Sequence, residues 1–316
     1  MANSSLHDAK NAKNDEFYTR LEDINKEMSH YEDKFRGKVV FCNCNDAKRS
    51  DFWKYFHLNF EYLGLKKLIT THYESGEVQS YKIEYTGGND ENFEEGTITP
   101  LEQNGDFRSD ECIALLDEAD IVVTNPPFSL FREYVAMLIE HNKKFIIIGN
   151  KNAVKYKEFF PYLKNGKIWI GYESPSEFNT PTGVTKRVKG LCRWFTNLDI
   201  AKRHDMLETT YLYSQKDSLY PDLYTTFDEL KDVINVNRVD EIPMDYDGIM
   251  AVPITFIDKY NPEQFEILDM LNRYTVLDHF GVNTDVQSRH SHCCNINGNP
   301  TFSRVVIRKK AGANNG

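Results

Sequence analysis

Residues 121–130 read IVVTNPPFSL, and the fold turns on how this stretch is taken. Ile121, Val122 and Val123 form a short apolar run rich in β-branched residues, which predicts a buried strand. Asn125 stands before a proline and is driven to extended backbone. Pro126 and Pro127 then fix φ and remove two N–H donors, so the chain continues neither as helix nor as central strand. The strand therefore ends in a stiff tip that offers carbonyl oxygens, one amide and the ring of Phe128. Such a tip is either a strand-terminating turn or a reaction site.

Similar apolar runs lie on both sides of it. Residues 38–42, 67–71, 144–149, 167–171 and 191–195 are predicted strands, and 131–140 a helix. Between 50 and 63, Phe52, Tyr55, Phe56, Phe60 and Leu63 fall at helical spacing, with Gly64 to close the helix. Alternation of this kind predicts a mostly parallel sheet with helices on both faces. Ligands in such sheets bind at the carboxyl ends of the strands, where the strand order reverses. The segment 76–104, rich in Gly, Glu and Asn, is expected to be a surface insertion. After about residue 199 the alternation is lost. That predicts a first domain over 1–199, a smaller subdomain over 200–310 and a disordered tail over 311–316.

The 316 residues are 40% hydrophobic and 27% charged, an ordinary soluble composition. The apolar runs are too short to span a membrane, and the N-terminal stretch is polar, so a cytoplasmic protein is expected. Cys42, Cys44, Cys112, Cys192, Cys293 and Cys294 are expected to be free thiols. His290, His292, Cys293 and Cys294 cluster, but a second ligand pair at zinc spacing is missing, and no metal is expected.

The net charge of −10 argues superficially against a nucleic-acid partner, yet its distribution is uneven. Residues 71–120 hold fourteen acidic and two basic side chains, a net of −12, which leaves +2 for the rest of the chain. Residues 185–203 hold six basic side chains against Asp199, a net of +5. This stripe is either a phosphate-binding surface or a solvated face.

The tip at Asn125 suits a planar group with an exocyclic amine. The amide oxygen and a neighbouring backbone carbonyl accept both amine hydrogens, while the ring stacks on Phe128. Adenine fits. Its amino lone pair is delocalised and weakly nucleophilic; accepting both hydrogens draws the nitrogen toward tetrahedral geometry and frees the pair for attack. No strong base is needed, because the nitrogen becomes very acidic once alkylated.

Asn-Pro-Pro-Phe after a strand is the signature of amino-methyltransferases that use S-adenosylmethionine, and the chain resembles the EcoRI-type adenine-specific DNA methyltransferases. The resemblance is carried by residues 14–19 (NDEFYT), 40–46 (VFCNCND), 105–109 (GDFRS), 123–131 (VTNPPFSLF) and 252–268 (VPITFIDKYNPEQFEIL). It implies a Rossmann-like S-adenosylmethionine-dependent methyltransferase fold, with a C-terminal target-recognition subdomain. It also implies methyl transfer to the N6 amine of adenine in double-stranded DNA, in the cytoplasm of a bacterial or phage-infected cell. Asn125, Pro126, Pro127 and Phe128 would be catalytic. Phe17, Tyr18 and Thr19 would fold over the methionine part of the cofactor. Cys42, Asn43, Cys44 and Asp46 would line it after the first strand, in place of the glycine-rich turn common in the wider superfamily. Glu74 would accept from the ribose hydroxyls, and Asp106, next to Phe107, from the cofactor's adenine; Asn125 closes the cofactor set. Blander readings make Asp46 a helix cap, Glu74 a surface glutamate and Phe17 with Tyr18 a terminal anchor.

An adenine inside a duplex cannot reach such a tip, so the nucleotide must be flipped out. Lys186, Arg187, Lys189 and Arg193 are the expected phosphate contacts, in and after a loop over 173–188, with Phe178 helping to hold the opened duplex. Base reading would fall beyond residue 199, with Arg289, His290, Asn295 and Asn297 as contributors. The implied partners are duplex DNA and a cognate restriction endonuclease acting on the same site. Two rivals remain: methylation of RNA adenine or a protein glutamine amide, and a non-catalytic DNA- or metal-binding protein on the same fold.

Overall fold

The computed structural model of the chain describes residues 18–44, 50–74, 78–180, 184–188, 190–271 and 292–312. The chain divides into two compact units, Met1–Phe159 with Ile168–Ile200, and Phe160–Lys167 with Ala201–Gly316. Of the tail expected over 311–316, residues 313–316 lie outside the described residues.

In chain order the strands of the first unit are β1 (Tyr18–Thr19), β2 (Val39–Cys42), β3 (Lys67–His72), β4 (Tyr81–Tyr85), β5 (Thr97–Pro100) and β6 (Ile121–Thr124). Then follow β7 (Lys144–Asn150), β8 (Trp169–Ile170), β9 (Glu177–Asn179), β10 (Thr185–Arg187) and β11 (Cys192–Thr196). Eight of them form one sheet in the order β5-β4-β3-β2-β6-β7-β11-β8. The central four, β3, β2, β6 and β7, run parallel. The outer pairings are all antiparallel. Every residue of β2 and of β6 is buried, as parallel strands covered on both faces require.

The helix after β2 begins at Asp51, with the Ser50 hydroxyl accepting from the Phe52 N–H at 3.2 Å. Ser50 is thus the cap of this helix, and Asp46 lies outside the described residues. The predicted helix over 50–63 is two, Asp51–Leu58 and Phe60–Leu63, and the second closes on Gly64 at φ 64°. Phe52, Trp53 and Phe56 pack with Trp194 and Phe178 in the main core. At roughly 1.5–3 kcal/mol for each fully buried large apolar side chain, this cluster is a principal source of cohesion.

Two polar stretches are more ordered than their composition suggests. The segment 76–104 supplies β4 and β5 and extends the main sheet. The Trp53 indole donates to the Phe93 carbonyl at 2.8 Å, and the His57 ring stacks on Tyr85 at 3.8 Å, which pins the segment to the helix Asp51–Leu58. Within 173–188, β9 and β10 pair antiparallel, and β1 adds to β9 as a third strand. Tyr18 lies opposite Asn179, and Thr19 opposite Phe178. Ahead of β9 the buried Glu27 carboxylate accepts from the Tyr172 N–H at 3.0 Å, the Glu173 N–H at 2.6 Å and the Tyr31 hydroxyl at 2.7 Å.

The second unit holds β12 (Val233–Asn235), β13 (Ile249–Pro253), β14 (Phe265–Leu271), β15 (His292–Ile296), β16 (Asn299–Phe302) and β17 (Arg304–Lys309). They form a four-stranded sheet, β12-β13-β17-β14, and a separate β15–β16 hairpin. Phe227, Val233, Ala251, Leu271 and Val306 make its own core. Among the described residues no helix is long and apolar enough to cross a membrane.

Candidate functional site

β2 stands where the strand order reverses, with β3 on one side and β6 on the other. A crevice forms at the carboxyl ends of two such strands. Cys42, Asn43 and Cys44 come to one lip of it, and Thr124 and Asn125 to the other. The strand ends are tied together. The Thr70 hydroxyl donates to the Cys42 carbonyl at 2.8 Å. The Thr124 hydroxyl donates to the Asn43 carbonyl, and the Tyr134 hydroxyl to the Asn43 amide oxygen. Cys44 turns the chain at φ 59°, the left-handed conformation that a glycine-rich turn would supply. The expected departure from glycine is thus one of residue and not of backbone. Burial pushes the thiols of Cys42 and Cys44 well above their ordinary range, so neither is a thiolate nucleophile.

At the second lip Asn125 is 8% exposed, Pro126 is buried, and Phe128 is half-buried against the main core. The Pro127 carbonyl accepts from the Leu130 N–H at 2.9 Å, which closes a tight turn over Phe128–Leu130. The helix Phe131–Glu140 follows directly. Its first residue is fixed by what β7 omits: a Cβ on Gly149 would lie 2.4 Å from the Phe131 ring. Phe131 also packs against Phe159 at 5.5 Å and Phe195 at 5.7 Å. Neither this aromatic seat nor Tyr134 is marked in the sequence by anything beyond the helical spacing.

The two carboxylates behave differently. The Glu74 side chain is 18% exposed, with its Oε2 3.8 Å from the His72 Nε2, so it is not a surface glutamate. Its N–H donates to the Asn104 carbonyl at 3.0 Å. Gly105 has φ +72°, and a Cβ there would lie 2.3 Å from the His72 carbonyl oxygen. This close approach brings Glu74 and Asp106 to the same end of β3. Asp106 is clasped by Arg108, whose Nε reaches Oδ1 at 2.8 Å and Nη2 reaches Oδ2 at 2.7 Å. A carboxylate has about four lone-pair sites, so part of the acceptor capacity of Asp106 is already used. Phe107 is buried edge-on to Tyr134, with ring centroids 5.1 Å apart.

On β1, Thr19 is 2% exposed, and its hydroxyl has no hydrogen-bond partner among the described residues. An unmet buried hydroxyl costs free energy that a ligand group would recover. Arg20, next in sequence, pairs with Glu177. Glu177 also accepts from the Arg187 Nε at 2.9 Å. Lys186 and Arg187 are exposed on β10. Arg193 is elsewhere: it is half-buried in β11 opposite Gly149, with its Nη1 donating to the Cys192 carbonyl at 3.0 Å. The basic stripe is therefore two separate features.

Phe178 is fully buried in the main core, which overturns its expected role beside an opened duplex. The Asn295 amide donates to Glu229 at 2.7 Å, and its backbone N–H to the same carboxylate at 2.9 Å, so that side chain is engaged within the fold. Asn297 turns the β15–β16 hairpin at φ 50°. Phe17, Asp46, Lys189, Arg289 and His290 lie outside the described residues. Cys42, Cys44, Cys112, Cys192 and Cys294 are free thiols, and among the described residues no group of three ligating side chains could hold a metal.

A family profile described as "Adenine-specific methyltransferase EcoRI" matches residues 5–310. The Type II methyltransferase M.EcoRI of Escherichia coli is 40% identical over 336 residues, covering 98% of this chain and 97% of its own. M.MgeORF184P of Mycoplasma genitalium is 39% identical over 96% of this chain and 98% of its own. M.MpnI of Mycoplasma pneumoniae is 39% identical over 96% and 97%. No solved structure matches the chain.

Proposed function

The chain belongs to the EcoRI family of adenine-specific methyltransferases, and from that premise we propose how its own residues carry the reaction. It is an adenine-specific DNA methyltransferase of the Type II class. The methyl donor in this reading is S-adenosylmethionine, which supplies an electrophilic methyl group when bound. A Rossmann-like cofactor fold is supported by the parallel β3-β2-β6-β7 core and its order reversal at β2. The second unit then serves as the target-recognition subdomain.

Several features fit that cofactor. The unmet hydroxyl of Thr19 suits its polar methionine end, beside Tyr18. The left-handed turn at Cys44 lets backbone groups from Cys42 to Cys44 approach it closely. Glu74 takes the ribose hydroxyls, and Asp106, beside Phe107, takes the amino group of its adenine.

The target adenine is flipped from the duplex, and its amine meets Asn125. The Asn125 amide oxygen accepts one amine hydrogen. The second hydrogen is assigned to the carbonyl of Pro126, directly after Asn125. Phe128 stacks on the base. Lys186, Arg187 and Lys189 contact phosphates, and Arg193 acts near the carboxyl end of β7. A cognate endonuclease reading the same site is the proposed outside partner, supported by the Type II designation of the relatives.

The observation that carries this reading is the position of Asn125, at the end of β6 beside the strand-order reversal. Purified protein incubated with methyl-labelled S-adenosylmethionine should place the label on N6 of adenine in duplex DNA and not in RNA or protein. Absence of N6-methyladenine from DNA treated in this way would overturn it.

A further inference from the structure

β1 is only two residues long, and among the described strands it pairs with β9. So short a strand has little stability by itself and exists because β9 offers it an edge. The opposite edge of β9 carries β10, with the exposed Lys186 and Arg187. One three-stranded sheet thus joins a segment assigned to the cofactor with a segment assigned to DNA.

Glu177 sits at the start of β9 and spans both. Its Oε2 takes Arg20, the residue directly after Thr19, and its Oε1 takes the Arg187 Nε at 2.9 Å. The Arg187 side chain is 82% exposed. With Nε held by Glu177, this exposed guanidinium still has two terminal nitrogens to offer a phosphate as a planar fork. Phe178 anchors β9 in the main core, whereas β1 and β10 are joined to each other through β9 and the two Glu177 ion pairs, which near the surface add little until a ligand joins them. A ligand that orders the three strands lowers the ordering cost for the next.

We infer that Glu177 is a positioning residue that couples the two sides, so that duplex DNA and the cofactor each tighten the binding of the other. The inference rests on the functional reading above. Coupling of this type is reciprocal: the factor by which DNA tightens the cofactor equals the factor by which the cofactor tightens DNA.

The test uses the full chain, random-sequence duplex DNA and S-adenosylhomocysteine, the demethylated cofactor, so that no turnover intervenes. Calorimetric titration of the wild type should show affinity for S-adenosylhomocysteine rising about tenfold with saturating duplex, with the same factor in the reverse experiment. Glu177→Gln and Arg20→Gln should each bring the factor close to one, and Glu177→Asp should retain part of it. Circular dichroism reports whether a variant is folded, and the wild-type and Arg20→Gln measurements decide the matter even if Glu177→Gln is not. Binary binding of both ligands to the wild type without mutual effect overturns the coupling and leaves the methyltransferase reading standing. So does an unchanged factor in folded Glu177→Gln. Failure of the wild type to bind S-adenosylhomocysteine at all sinks the cofactor reading itself, and the coupling with it.

Discussion

The hydroxyl of Tyr134 donates to the amide oxygen of Asn43, ninety-one positions earlier in the chain. Tyr134 belongs to the helix that follows the Asn-Pro-Pro-Phe tip, and Asn43 to the loop after β2. The bond fixes the spacing between the two lips of the site. Tyr134→Phe keeps the ring and its edge contact with Phe107 but removes a donor from a buried amide oxygen. Its unfolding free energy in denaturant titrations should fall by about 1–3 kcal/mol. Methylation should slow as well, because the lips are less well held.

Asn125→Ala should abolish most turnover and lower affinity for S-adenosylmethionine far less, since the amide oxygen is directed at the target amine and the cofactor keeps its other contacts. Loss of one preorganised polar group at a reacting centre costs about a hundred-fold or more in rate. Single-turnover methylation set beside a calorimetric affinity separates the two effects. A near-normal rate would remove Asn125 from the mechanism.

Gly105→Ala places a methyl group 2.3 Å from the His72 carbonyl oxygen, at a φ of +72° that side chains resist. The expected loss of stability exceeds about 1 kcal/mol. The loop must also leave the end of β3, so cofactor affinity should drop alongside stability. Thermal melts with and without S-adenosylmethionine report both.

Replacing Lys186, Arg187 and Lys189 with alanine together should weaken binding to all DNA sequences alike. The slope of log affinity against log salt should become shallower by roughly 0.9 for each phosphate that the protein no longer neutralises. The set of methylated sites should stay the same, because phosphate contacts position a protein without reading bases. An unaltered slope would make this surface a solvated face.

His57 is buried between Tyr85 and the 90–95 turn, with its Nε2 3.1 Å from the Glu95 carbonyl. Burial lowers its pKa below the ordinary 6.5, opposed by the Glu95 and Asp90 backbone and their carboxylates. The folded state therefore favours the neutral ring. The stability tied to that preference is present in full above about pH 6.5 and is lost as pH falls through the lower folded value. Unfolding free energies measured from pH 7 to pH 5 should decline more steeply in the wild type than in His57→Gln. Parallel curves would show that His57 does not take part.

Where the structure was legible in the sequence, the signal was local. The runs at 39–42 and 121–124 are apolar throughout because parallel strands are buried on both faces, and Gly64 marks a helix end because only a left-handed residue closes it there. The stiffness of Asn125-Pro126-Pro127 follows from covalent geometry. What the sequence concealed depends on distant pairing. Tyr18–Thr19 is a strand only because Phe178–Asn179 lies beside it, and no pattern within two residues announces that. Phe178 sits in a polar stretch and reads as exposed, yet the same pairing turns it into the core. β4 and β5 are hidden by acidic residues on a sheet with one edge in solvent. Asp106 looks like an open acceptor until Arg108, two residues on, is seen folded back upon it.

That solvent-facing edge also gives the sheet an electrical direction. β5 is exposed at all four residues, and it ends the sheet within the stretch that carries a net of −12. Near the opposite end runs β11 with Arg193, reached by a chain that has just passed through Lys186 and Arg187. A duplex approaching this unit is expected to be repelled at the β5 end. On that expectation, the acidity that weighs against a nucleic-acid partner in a simple charge count bars one edge of the sheet and leaves the rest open. Added salt should blunt that repulsion, with a Debye length of about 10 Å at 0.1 M.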